Sequence, residues 1–154
     1  MRLIIIALLL SISTILSAQT IGAERKKHFN LENNLALQGY DPVAYFKSGK
    51  AVKGNPDLVF TYLGVTYQFA TDMNRSAFKD HPEKYEPQYG GWCAFAMGDY
   101  GKKVEVDPET FKIKDGKLYL FYNKTFTNTL PLWNKDEANL KTKADENWKI
   151  ILSK

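Results

Sequence analysis

Val59-Phe60-Thr61-Tyr62 and Val65-Thr66-Tyr67-Gln68-Phe69 are β-branched and aromatic runs separated only by Leu63-Gly64. This pattern predicts two strands joined by a tight turn. Period-two alternation puts Phe60 and Tyr62 on one face, with Val65, Tyr67 and Phe69 as the opposing apolar stripe. Residues 110–114 and 118–122 repeat the signature around Asp115-Gly116, a dipeptide suited to a two-residue hairpin turn. Hairpins of this kind need cover, and the chain supplies helical segments to provide it. Thr71 or Asp72 can cap a helix whose Met73, Ala77 and Phe78 point inward and which Pro82 ends. A short helix is expected at Trp92 to Met97. Leu132 and Trp133, then Ala138, Leu140, Ala144, Trp148 and Ile151, recur at helical spacing and predict one or two helices after Asn123. Residues 103–108 read as extended, and Gly39 and Pro42 break regular structure in the opening segment. The expected fold class is α+β, built on two hairpins and several short helices, without internal repeats.

Composition narrows the function classes. With 154 residues, 44% hydrophobic and 25% charged, the chain has room for one globular domain and is not disordered, collagenous or a coiled coil. The net charge of +4 comes from scattered cations, without the basic blocks of a nucleic-acid binder. One cysteine excludes an intramolecular disulfide. Together with only two histidines, it leaves too few ligands for a zinc ribbon or an iron–sulfur cluster.

Arg2 followed by the apolar run Leu3 to Leu16 has the charge and length of a secretory leader, and is short for a membrane span. Cleavage is expected after Ala18, with Ala23 the weaker alternative. No cysteine stands near the cut to carry a lipid. Residues 1–18 are therefore read as a signal peptide, 19–34 as a mobile polar linker around Arg25-Lys26-Lys27-His28, and 35–154 as a single domain. Loss of the leader removes Arg2 and no acid, leaving a mature charge of +3 and no membrane span. The expected location is periplasmic or secreted.

Asp41-Pro42-Val43, the hairpin from Tyr62 to Thr71, Asn74, Phe78, Pro82, Lys84 and Tyr85 together resemble a YHS domain. The run Pro87 to Ala94, with Asp107-Pro108, Phe111, Asp115 to Leu120 and Trp133, is similar to the exported bacterial YHS-domain proteins. The resemblance covers about residues 36–150. It implies a small hairpin-plus-helix core, here with a second hairpin and C-terminal helices. In metal-binding members, cysteines stand at places corresponding to Ala44, Ala70 and Asn74. Alanine cannot ligate and a neutral amide holds a soft metal poorly, so that site does not carry over.

The remaining candidates come from the residues themselves. A helical Cys93 and Met97, four apart, could present a thiolate and a thioether to copper(I), with His81 as a third ligand. The alternative is that both are packed in the core. Cys93 as a nucleophile would need an activating base, and only His81 and His28 are available. Tyr89, Gly90, Gly91 and Trp92 form a glycine-rich aromatic loop suited to a small-ligand pocket. The functional expectation is an exported module that binds a metal such as copper or a small ligand. The alternative is a structural protein of the envelope with a protein partner and no cofactor, and a Cys93-dependent enzyme is the third reading.

Overall fold

The computed structural model describes residues 22–154. The expected leader, residues 1–18, lies outside the described residues. Residues 22–28 are helical (α1), and β1 (Leu31–Glu32) and β2 (Leu35–Ala36) follow. A short 3-10 turn over Leu37–Gly39 leads into α2 (Pro42–Lys47), where Pro42 occupies the first turn and Asp41 is the N-cap. The first hairpin is β3 (Asn55–Tyr62) and β4 (Val65–Phe69). β4 also pairs in parallel with β2, giving the sheet order β1-β2-β4-β3. Helix α3 (Asp72–Asp80), capped by the Thr71 hydroxyl, and α4 (Pro82–Tyr85) follow.

A second 3-10 turn over Gln88–Gly91 then leads into α5 (Ala94–Tyr100). The second hairpin is β5 (Asp107–Lys114) and β6 (Lys117–Phe121). A small hairpin, β7 (Asn123–Lys124) and β8 (Thr127–Asn128), precedes α6 (Leu130–Lys135) and α7 (Glu137–Leu152). The architecture is α+β, as the patterning predicts.

The expectation that the chain has no internal repeat is corrected by its geometry. Shifted by 52 residues, the first hairpin and its approach overlay the second without a gap. Asn55 pairs with Phe69 and, after a bulge, Val59 pairs with Gln68; Asp107 pairs with Phe121 and, after the same bulge, Phe111 pairs with Leu120. Both two-residue turns are left-handed, at Leu63-Gly64 and Asp115-Gly116. The parallel bridge Leu35–Thr66 has its counterpart in Pro87–Leu118. The amide of Asp41 donates to Val52 O at 2.8 Å and that of Cys93 to Val104 O at 3.0 Å. Even the side-chain turn recurs, Asn55 Oδ1 accepting from Asp57 N and Asp107 Oδ1 from Glu109 N, both at 3.0 Å. Between 37–69 and 89–121, nine of 33 positions are identical. They include the glycine pairs 39/91, 49/101 and 64/116, and Pro56/Pro108, which mark turns.

Each hairpin is covered by one large aromatic ring from the helices after it. Phe78 lies 4.6 Å from Tyr67 and 5.3 Å from Phe69, while Trp133 lies 5.8 Å from Tyr119 and 5.7 Å from Phe121. These rings centre two buried clusters, one joining Val43, Tyr45, Phe69 and Phe78, the other joining Met97, Phe121, Trp133 and Ala144. Burial of such side chains is the main favourable term in the fold.

Three local expectations also change. Met73 is 71% exposed, so α3 buries Phe78 but not Met73. The chain after Asn123 first forms the β7–β8 hairpin, held by Thr129 Oγ1 donating to Tyr122 O and Asn123 Nδ2 donating to Thr110 Oγ1. This hairpin interrupts the second unit where Thr71 caps α3 directly in the first, and it leaves Phe126 fully exposed.

The third change concerns residues 22–34, which composition reads as a mobile linker but which are strapped to the domain. Their polar side chains misled because the contacts run through backbone groups and one guanidinium. Asn30 N donates to Gly90 O at 2.8 Å, Trp92 Nε1 to His28 O at 2.6 Å, and Lys103 Nζ to Lys27 O at 2.9 Å. Arg25 donates to Tyr62 O and pairs with Glu86 at 2.6 Å, its guanidinium over the Phe29 and Tyr62 rings. Gly22 lies against the first hairpin turn, where a Cβ on Gly64 would come within 2.6 Å of Gly22 Cα.

Candidate functional site

The Tyr89-Gly90-Gly91 turn has three successive residues in the left-handed region, with φ of 54°, 61° and 85°. Tyr89 has a Cβ and carries the strain of that conformation. The counterpart turn Leu37-Gln38-Gly39 has the same left-handed φ values, 56°, 52° and 77°, so the conformation belongs to the repeated scaffold; in the second copy the Tyr89 hydroxyl also donates to Asp145 Oδ1 at 2.9 Å on α7. Burial and then the Asp145 carboxylate push the Tyr89 hydroxyl far above its ordinary titration range, so it remains a donor. Gly90 has no room for a side chain. A Cβ there would meet Trp148 Cη2 at 3.0 Å and His28 O at 3.1 Å.

Around this turn opens a cleft of about 500 Å³, walled by α1, the 86–90 segment and α7, with Lys117 from the second hairpin at one side. Trp148 stands edge-on to both Tyr89 and His28, with ring centroids 6.4 and 6.5 Å away. Among the described residues, His28 Nδ1 is the one buried side-chain polar atom with no hydrogen-bond partner. Native proteins leave few such atoms unpaired, and each asks for a partner. Of the four residues expected to form a ligand loop, Tyr89 and Gly90 line this cleft. Gly91 and Trp92 do not, because residues 28–30 lie across them and take their hydrogen bonds. The contributions of Arg25, His28 and Trp148 were beyond sequence reasoning, since the first two fall in the polar stretch and Trp148 reads as one more core position of a helix.

A second cleft of about 440 Å³ lies between the two units, bordered by Glu32, Gln38, Glu105 and Asp107. Neither cleft is lined by Cys93, Met97 or His81.

Those three residues do not form one centre. His81 is exposed at the α3–α4 junction, while Cys93 and Met97 are sealed, in different core clusters. Among the described residues no three His, Cys, Asp or Glu side chains gather as a metal site. The Cys93 sulfur is already engaged, accepting from Tyr122 N at 3.3 Å and lying 3.4 Å from Thr129 Oγ1.

The internal repeat explains this position. Cys93 is the counterpart of Asp41, and Tyr122 of Ala70. Asp41 Oδ2 accepts from Ala70 N at 2.8 Å, as the Cys93 sulfur accepts from Tyr122 N. Both side chains tie the start of a helix to the end of a hairpin. We therefore expect iodoacetamide to leave Cys93 unmodified in the native protein and to alkylate it at the rate of global unfolding. Cys93→Ala should cost about 1–2 kcal/mol in urea denaturation, as for a small buried group with weak hydrogen bonds. Alkylation at full speed in the folded protein would contradict a sealed structural thiol.

Asp41 is itself the most heavily bonded buried acid of the chain. Fully shielded from solvent, its Oδ1 accepts from Val43 N and Ala44 N, and its Oδ2 from Ala70 N and from Asn74 Nδ2 at 2.7 Å. Ala44, Ala70 and Asn74, the positions singled out as lacking metal ligands, thus do come together, and a carboxylate knits them instead. No family model, no curated protein and no solved structure matches the chain.

Proposed function

We propose that the protein is an exported binding module of YHS type that takes a small organic ligand in the cleft beside Tyr89 and Gly90. The observation that carries this reading is the cleft's construction. The half-buried rings of Trp148 and Phe29 and the buried Tyr89-Gly90 turn border a space the size of a small-molecule site. The YHS assignment rests on the Asp41-Pro42-Val43 run and the hairpin followed by a helix.

Export rests on the apolar run of residues 3–16. The packing of Gly22 on Gly64 favours a cut after Ala18, because a cut after Ala23 would remove a residue already seated on the domain. Among the described residues no helix is long and apolar enough to cross a membrane.

The test uses indole as a neutral aromatic probe on the mature protein, residues 19–154. Millimolar indole is expected to raise the melting temperature by a degree or more and to shift the ring resonances of Trp148 and Tyr89 while leaving buried Trp133 unmoved. Trp148 and Tyr89 signals unchanged by neutral and by charged indole probes alike would refute a ligand cleft.

A further inference from the structure

We infer that the cleft selects organic anions carrying a flat apolar body, an aromatic carboxylate being the simplest example. This rests on the reading of the cleft as a ligand site and adds the class of ligand. The cleft wall holds three acids and three permanent cations, so its formal charge alone decides nothing. What decides is which of them are already engaged.

Each acid has partners within the fold. Glu86 holds Arg25 at 2.6 Å and also accepts from the Tyr67 hydroxyl. Asp145 takes Lys141 Nζ at 2.7 Å on one oxygen and the Tyr89 hydroxyl at 2.9 Å on the other. Glu83 accepts from the Tyr62 hydroxyl at 2.9 Å. Among the cations, Arg25 is used, but the ammonium groups of Lys117 and Lys149 make no ion pair or hydrogen bond among the described residues. An incoming cation would thus find Glu86 and Asp145 already ion-paired and only the exposed Glu83, bonded to a neutral hydroxyl, with its charge uncompensated. An incoming anion meets two exposed ammonium groups with all their donors free, an attraction that added salt screens.

The remaining walls suit the body of such a ligand. Trp148, Tyr89, Phe29 and Leu152 offer ring and aliphatic surface. His28 also lines this wall, its Nδ1 shielded and without a partner among the described residues.

Three probes with one ring system separate the charge requirement from the cavity itself: indole-3-acetate, neutral indole and tryptamine. They are titrated into the mature protein and into the double variant Lys117→Gln/Lys149→Gln, following the Trp148 indole N–H signal. The substituted lysines are exposed and unpaired, so the variant should fold normally, which its melting curve checks. Indole-3-acetate is expected to bind at least about 10-fold more tightly than tryptamine. That margin should shrink to within about 2-fold in the double variant and fall as sodium chloride is raised. Tryptamine binding as tightly as indole-3-acetate would overturn the anion preference, as would a double variant that keeps the full margin. If all three probes bind alike at Trp148, the anion inference fails and the ligand cleft stands. If none moves the Trp148 signal, both fail.

Discussion

Asp41→Ala is expected to be among the most damaging single substitutions in the chain, lowering stability by about 3–5 kcal/mol and the melting temperature by roughly 10–20 °C. The side chain is small and its volume is not the issue. Its removal strands four donors: the amides of Val43, Ala44 and Ala70, and the side-chain amide of Asn74. They come from the start of α2, the end of β4 and the first turn of α3, so one carboxylate fixes three elements relative to each other. A buried donor left without an acceptor keeps its desolvation penalty, and water can relieve only some of four crowded together. Asp41→Asn should fall between wild type and alanine, because its amide still offers one acceptor oxygen but turns a second donor toward groups that already donate. Urea denaturation of both variants measures the order. A loss below 1 kcal/mol for Asp41→Ala would mean that the network is not what holds α2 and α3 to the sheet.

Trp133→Ala should cost a similar amount, about 3–5 kcal/mol, for a different reason. Its ring is fully buried, covers Tyr119 and Phe121 of the second hairpin, and donates from Nε1 to Glu137 Oε1 at 3.0 Å. Deletion leaves a cavity the size of an indole between β6 and α6. Glu137 would lose one donor but keep Lys112 at 2.8 Å, so most of the loss is packing. Trp133→Phe, which keeps the ring contact and loses the N–H, should recover more than half of it. If denaturation shows Trp133→Phe as damaging as Trp133→Ala, the hydrogen bond outweighs the packing and this account of the second cluster is wrong.

The hairpins were legible because their turns are written in two residues each and their strands alternate cleanly. α3 was legible from Thr71 and Pro82, which bracket it, although Met73 faces solvent. Helix α2 was not, because Pro42 reads as a breaker until Asp41 is seen to cap it and turn the proline into a first-turn residue. The β7–β8 hairpin was missed because Asn123 to Thr129 carries no apolar alternation, only polar groups that find local partners.

Half of the candidate site was visible as an aromatic glycine loop. The other half comes from residues 25–29 and from Trp148, brought together by contacts that run across more than fifty residues of chain and leave no local signature. The internal repeat escaped notice because only nine of 33 positions survive as identities, and its most informative pair, Asp41 and Cys93, shares a position and a bonding pattern but no chemistry.

A protein that contains the same scaffold twice can divide labour between the copies. In the first, Leu37 and Val65 stand where the second has Tyr89 and Lys117, and both are buried as plain core. In the second, those same two positions face the cleft. The first copy's buried carboxylate, tied to four donors, leaves that half little freedom to vary. The second is secured by a weakly bonded thiol and a large indole, tolerates an inserted hairpin, and has given its turn over to the cleft. The carboxylate that locks the first half has no equivalent in the second, so the turn beside the cleft is held by side chains that differ from those of its counterpart.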